Sequence, residues 1–155
     1  MSTEKSYFED YKLGDKAVSP ARTVTETDIV MFSALTGDWT ELHTNAEYMK
    51  QSIFGQRIAH GLLTLSIANG LAQRIPGRAP IDIVAFLGMD KVKFMNSPVF
   101  IGDTIHVELE VIEARSSQSH PDTGILKFKN TVKNQNDQEV ATWETAAMIN
   151  KKPQK

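Results

Sequence analysis

The sequence predicts a single α+β domain in which an antiparallel β-sheet wraps around a long central α-helix. The first half of the chain has apolar residues at helical spacing, whereas the second half has them at a period of two. The later strand segments follow one another closely, which favours antiparallel pairing and a sheet packed on the helix. A length of 155 residues suits one domain. We expect this domain to occupy residues 1–155, with an ordered core over about 7–149.

Three helices are predicted in the first half of the chain. The first follows a capping-box pattern at Thr25–Asp28 and ends at Gly37, a residue type that often terminates helices. A second capping-box pattern, at Thr44–Glu47, predicts a short helix over 46–50. The third helix runs from Gly61 to Arg74 and has apolar residues on most faces, which is typical of a buried helix.

Strands are predicted after Pro80, where apolar and polar residues begin to alternate. A short early strand could lie within 16–24. The predicted later strand segments are 81–86, with a pause at Gly88, then 92–94, 105–111, 126–132 and 140–149.

Composition and charge exclude several classes of protein. With 17 Lys and Arg against 19 Asp and Glu, the net charge of −2 gives no general attraction to nucleic acids or anionic membranes. The lack of cysteine excludes disulfides, thiolate nucleophiles and thiolate metal sites. The sequence shows no apolar leader and no membrane-spanning run. We therefore expect a cytoplasmic protein with no nucleic-acid or membrane partner.

The loop over 35–43 carries an acid and an imidazole five residues apart, at Asp38 and His43. A carboxylate and a histidine within one small site can share general acid and base work near neutral pH. An alternative stays open, because Asp38 also suits a turn after Gly37 and His43 could simply flank the next helix.

The segment over 54–63 is the second candidate, because it runs straight into the predicted buried helix. The first turn of a helix has N–H groups without intrahelical partners, and Gly61 leaves room for an oxygen atom to approach them. Such a site suits the negative charge that develops on a thioester carbonyl. Gly61 could instead only permit tight packing. Asn69, eight residues farther along, could face the loop or only cap the core.

Three ordered motifs occur along the chain: Gly37-Asp38-x-x-x-Leu42-His43, Ile58-Ala59-His60-Gly61, and Phe94-x-x-x-Pro98-Val99-Phe100-x-Gly102-Asp103. Together they resemble the MaoC-like, (R)-specific enoyl-CoA hydratase family, over about Tyr7 to Met148. The resemblance implies a hot dog fold that usually dimerises, with active sites near the dimer interface. It also implies hydration of a trans-2-enoyl thioester to a (3R)-3-hydroxyacyl thioester. The expected substrate is a thioester of coenzyme A, and an acyl carrier protein adduct is the less favoured alternative.

The resemblance also assigns roles to individual residues. Asp38 and His43 match the catalytic dyad of the family, and Gly61 matches the amide that binds the thioester oxygen. His60 and Asn69 are expected among the substrate-binding residues, and Asn69 falls where some relatives have a serine. No metal and no cofactor is expected. Thr40-Glu41 replaces the Asn-Pro of the family motif, which leaves the loop shape and the substrate preference open.

Two rival functions stay open at the level of sequence. One is a hot dog acyl-CoA thioesterase, which would direct water at the thioester carbonyl. The other is a non-catalytic subunit that binds acyl thioesters without turnover. Arg57 and Arg78 could pair with a substrate carboxylate or a CoA phosphate, or they could simply be solvated.

Overall fold

The computed structural model describes residues 5–76, 79–95 and 97–153, and it confirms the predicted α+β architecture. The helices are α1 (Glu26–Thr36), α2 (Glu41–Thr44), α3 (Ala46–Met49) and α4 (Gly61–Ala72), preceded by a 3-10 turn at Phe8–Asp10. The strands are β1 (Lys16–Val18), β2 (Arg22–Thr23), β3 (Ile83–Phe94), β4 (Thr104–Ser116), β5 (Thr123–Lys133) and β6 (Glu139–Asn150).

The strands form one antiparallel sheet in the order β1-β4-β5-β6-β3, and β2 also pairs with β4. The early segment therefore supplies two short strands. The pause predicted at Gly88 is wrong, because β3 continues through it. One register shift lies between Phe86 and Gly88 and another between Asp90 and Lys93, and they absorb the irregularity. Gly88 and Lys91 have positive φ angles of 153° and 52°.

Local hydrogen bonds explain both ends of α1 and the start of α3. Thr25 and Asp28 form the predicted capping box, and Gly37 ends α1 in the left-handed region at a φ of 78°. The second capping box is wrong by one residue. The N-cap of α3 is Asn45, whose side chain accepts the Tyr48 N–H at 3.0 Å.

The central helix α4 packs one side against the sheet. Its buried residues are Leu63, Thr64, Leu65, Ile67, Ala68, Leu71 and Ala72. They join a core with residues of β4, β5 and β6 that includes Val107, Val132 and Trp143. The expectation of burial on most faces is too strong, because Leu62 is 62% exposed in this single chain. Within the described ranges, no helix combines the length and apolar character needed to cross a bilayer.

Strand β3 lies at an edge of the sheet and is unusually apolar for an exposed strand. Its neighbour on one side is β6, and no described strand pairs with its other side. Its exposed apolar side chains are Ile83, Val84, Phe86, Leu87, Val92 and Phe94. An edge of this kind normally requires protection from uncontrolled pairing.

Candidate active site

A cavity of about 490 Å³ opens beside the start of α4. Its polar lining comes from His43, Thr64 and the backbone at Gly61. The apolar lining consists of Ile53, Phe54, Ile58, Ala59, Phe94, Met95, Pro98, Val99 and Val140. A mainly apolar wall with a few polar groups at one place is typical of a small-molecule site.

Backbone hydrogen bonds hold the segment before α4 against the two neighbouring parts of the chain. The Ile58 N–H donates to the Leu42 carbonyl at 3.1 Å, and the Ala59 N–H donates to the Val99 carbonyl at 2.7 Å. The first of these bonds lies next to His43, which places that imidazole beside the start of α4. The site is therefore built on hydrogen-bonded backbone rather than on a free loop.

His43 lines the cavity, and its ring has one nitrogen, Nε2, for which no hydrogen bond is found among the described residues. Its side chain is 8% exposed, and Nδ1 donates to the Ile58 carbonyl at 2.8 Å. A neutral imidazole that donates through Nδ1 keeps Nε2 as an acceptor. His43 can therefore accept a proton at Nε2 without losing the hydrogen bond that orients the ring.

Asp38 lies close to His43 and is held by Thr40. One oxygen of the Asp38 carboxylate accepts the Thr40 N–H at 3.2 Å and the Thr40 hydroxyl at 2.5 Å. The pKa of Asp38 is lowered, first by the Thr40 hydroxyl and then by the Thr40 N–H. Asp38 is therefore ionised near neutral pH. Thr40, which departs from the family motif, is the residue that orients the carboxylate.

His60 lies behind His43 rather than in the cavity wall. The two rings stack with centroids 3.7 Å apart and an interplanar angle of 29°. The Nε2–H of His60 donates to the backbone carbonyl of Asp38 at 3.1 Å, and the same nitrogen lies 3.2 Å from the Ser33 hydroxyl. His60 is only 2% exposed. These contacts fit a residue that positions Asp38 and His43 better than one that touches a substrate.

The buried His60 predicts a loss of stability in acid. Burial is the largest cause that lowers the pKa of His60, and the neighbouring His43 lowers it further, while the bond to Asp38 acts in the opposite direction. At pH values between this lowered pKa and the unfolded value of about 6.5, His60 is protonated more in the unfolded chain than in the folded one. Folding stability therefore decreases as the pH falls through that window.

Between about pH 7 and about pH 5, we expect the free energy of unfolding to fall more steeply with decreasing pH in wild type than in His60→Gln, because the variant removes this proton linkage. Urea unfolding at each pH measures the difference. His120→Gln, which changes an exposed loop histidine, should follow the wild-type slope. Equal slopes for wild type and His60→Gln would contradict a buried neutral His60.

Asp38, His43 and His60 also form the one cluster of possible metal donors found in the described part of the chain. A donor atom from each residue lies within 4.8 Å of the others. A cation binds an imidazole in the plane of the ring, but the rings of His43 and His60 stack face to face. Stacked rings are a poor arrangement for one shared ion, because imidazole ligands approach an ion from separate directions.

Gly61 is the first residue of α4, where a backbone N–H lacks an intrahelical partner. No hydrogen bond to this N–H is found among the described residues. A Cβ added at Gly61 would lie 3.0 Å from Cε1 and Cζ of Phe94. The glycine therefore permits close packing of the Phe94 ring beside the cavity that both residues line.

Two other predicted binding residues lie elsewhere. Asn69 is half-buried and stands outside the cavity wall, on the side of α4 that carries Leu62 and Ser66. The guanidinium of Arg57 donates to Glu26 at 2.8 Å, which satisfies it within the chain. Arg78 lies outside the described residues.

Sequence reasoning missed Thr40 and Ser33 as parts of the site. For Thr40 a local signal exists, because a hydroxyl two residues after an aspartate commonly hydrogen-bonds to it in a turn. For Ser33 the signal is weaker. Ser33 follows the buried Ile29 by one helical turn. A polar residue therefore lies on the apolar face of α1, where it requires a buried partner.

An antiparallel sheet packed around one helix, with an acid and an imidazole beside the helix start, defines a hot dog domain with a candidate acid–base site. Residues 11–134 match the family model of the MaoC like domain, so the chain belongs to the MaoC-like dehydratase family.

Named relatives come from several organisms. Protein MaoC of Klebsiella aerogenes is 40% identical over 105 residues, which cover 68% of this chain but only 30% of that protein. The (R)-specific enoyl-CoA hydratase of Rhodospirillum rubrum is 38% identical over 106 residues, which cover 68% of this chain and 69% of that enzyme. A solved structure from Archaeoglobus fulgius, described as a monoamine oxidase regulatory protein, is 42% identical with a TM-score of 0.86 and coverage of 96% and 97%.

Proposed function

We propose that this protein is an (R)-specific enoyl-CoA hydratase, or in reverse a (3R)-3-hydroxyacyl-thioester dehydratase. One observation carries the proposal: the Asp38 carboxylate lies within 4.8 Å of a ring nitrogen of His43, and His43 lines an apolar cavity together with Gly61. The hydratase of Rhodospirillum rubrum among the relatives supports the same activity. An acyl thioester of coenzyme A is the favoured substrate, and an acyl carrier protein adduct is the alternative.

The substrate binds with its thioester oxygen at the start of α4. The Gly61 N–H donates to this oxygen, and the apolar wall packs against the acyl chain. Because negative charge builds up on the oxygen during attack at C3, a fixed donor there stabilises the transition state more than the substrate. One such donor is worth about 10²–10³-fold in rate.

Asp38 and His43 then act on the water molecule. The ionised Asp38 and Nε2 of His43 are both acceptors, so together they can hold a water and remove one of its protons as its oxygen bonds to C3. The same proton is delivered to C2, which returns the pair to its starting state. Water is thereby added across the double bond, and the chemistry requires no redox cofactor.

Packing at Gly61 gives a prediction with a matched control on the same helix. In Gly61→Ala the new methyl group pushes on Phe94, so we expect lower turnover because the displaced ring intrudes on the cavity. A Cβ at Gly70 meets no atom within 4 Å, so Gly70→Ala should raise stability by up to about 1 kcal/mol and leave turnover unchanged. Melting temperature and kcat/KM measure both effects. Equal turnover in the two variants would contradict the packing of the Phe94 ring against Gly61 at the cavity.

We expect a homodimer formed through the exposed edge of β3. The edge is apolar, and Phe94 at its end also lines the cavity, so a second copy would both cover the edge and border the site. Sedimentation at micromolar concentration tests this. A monomer, or a dimer that persists when Val84 and Phe86 are changed to lysine, would contradict it. A cytoplasmic location also stays a prediction.

A non-catalytic binding protein is the second candidate, because the relative from Archaeoglobus fulgius is described as a regulatory protein. The two proposals differ in turnover. Purified protein mixed with crotonyl-CoA should remove the enoyl absorbance without releasing free thiol. Release of thiol would instead indicate a thioesterase, and binding without any spectral loss would indicate a regulatory subunit.

A further inference from the structure

Thr64 is a buried residue of α4 whose hydroxyl has no partner among the described residues. It is 4% exposed and lines the cavity. No hydrogen bond of its hydroxyl is found in the part of the chain that the structure describes. Two other helical hydroxyls behave differently: Ser66 donates to the Leu62 carbonyl and Thr36 to the Phe32 carbonyl, both at 2.7 Å.

The Thr64 hydroxyl is not fully enclosed: within the described ranges, the one enclosed side-chain polar atom without a partner is Nδ1 of His60. The hydroxyl oxygen therefore faces the cavity, which Thr64 lines. A ligand that enters the cavity displaces water from this hydroxyl, which is unfavourable unless the ligand supplies a hydrogen bond in return. The hydroxyl of Thr64 therefore suits a polar atom of a ligand rather than the packing of α4.

The position of Thr64 on α4 indicates which part of a ligand it meets. Residues three apart lie on the same face of a helix, so Thr64 and Gly61 share one side. Helical Cα–Cβ bonds tilt toward the N-terminus, which leans the Thr64 side chain toward the first turn. The Gly61 N–H, for which no partner is found among the described residues, lies at that turn, so the two donors are neighbours at one end of the cavity.

We propose that the Thr64 hydroxyl is a second hydrogen-bond donor to the thioester oxygen, beside the Gly61 amide. The identity of the ligand rests on the proposed function. The hydroxyl donates to the carbonyl oxygen, and the bond strengthens as negative charge develops there during attack at C3.

Three variants test the donor. Thr64→Val removes the hydroxyl and keeps the shape, so kcat/KM for crotonyl-CoA should fall about 10- to 100-fold, while the melting temperature stays at or above that of wild type. Thr64→Ser should recover most of the activity. Ser66→Ala removes an exposed hydroxyl of the same helix that bonds to its own backbone, and it should leave turnover unchanged.

Two outcomes of these assays would overturn the proposal. One is wild-type turnover in Thr64→Val. The other is a matched loss of activity and melting temperature in Thr64→Val and Thr64→Ser, which would indicate a packing role.

A spectroscopic measurement separates this inference from the proposed activity. In a His43→Gln background, which should not turn over, bound crotonyl-CoA is expected to show an enoyl absorbance shifted to longer wavelength by carbonyl polarisation. Adding Thr64→Val should reduce that shift, and adding Thr64→Ser should retain it. If wild type binds the thioester but never hydrates it, the proposed function fails, and a reduced shift still supports the Thr64 donor. An unchanged shift overturns the donor, whatever the activity.

Discussion

Asp38→Asn is expected to lower kcat for hydration of crotonyl-CoA by about 10²–10⁴-fold. The amide keeps the size of the carboxylate but cannot accept a proton from water. Because Asp38 is exposed and not part of the core, the variant should fold with a melting temperature close to that of wild type. Steady-state kinetics and thermal unfolding measure the two quantities on the same sample.

A matched control for Asp38→Asn is Asp122→Asn. Asp122 is an exposed acid in the loop between β4 and β5, and its change removes the same charge far from the cavity. Turnover should stay at the wild-type level in the control. Wild-type turnover in folded Asp38→Asn would show that this carboxylate takes no part in the reaction.

His43→Gln should cause a loss of similar size, about 10²–10⁴-fold in kcat. Glutamine can still donate to the Ile58 carbonyl, but it offers no basic nitrogen toward the water. His120→Gln, in an exposed loop, is the matched control and should keep full turnover. An active His43→Gln with a normal melting temperature would contradict the role of Nε2.

The double variant Asp38→Asn/His43→Gln tests whether the two residues act as one unit. Groups that share one step lose little more when both are removed than when one is removed. We therefore expect the double variant to be about as inactive as the worse single variant. Losses that multiply would indicate two independent roles, for example one in binding and one in proton transfer.

The sequence predicts most of the fold because local patterns set most of its elements. The capping box at Thr25 and the left-handed Gly37 are local, and both bounds of α1 agree with them. Alternating apolar residues likewise predict β5 and β6 to within three residues, whereas β4 continues five residues beyond the predicted segment. The break expected at Gly88 is wrong because pairing with β6 supports the strand on both sides of it.

The sequence predicts less of the site, because its contacts join residues far apart in the chain. The spacing of Asp38 and His43 suggests a pair, and a helix start at Gly61 suggests an open amide. The stacking of His60 on His43 depends on the tertiary placement of α4 against α2, which no spacing shows. The same holds for the contact between Ser33 and His60, which are 27 residues apart.

The most direct measurement of the central proposal follows the oxygen of water into the product. Crotonyl-CoA is incubated with the protein in water labelled with heavy oxygen, and the product is separated on a chiral column and analysed by mass. We expect (3R)-3-hydroxybutyryl-CoA, with the label at C3 and the thioester intact. A free acid labelled at its carboxylate, the (3S) product, or crotonyl-CoA recovered without label would contradict the proposal.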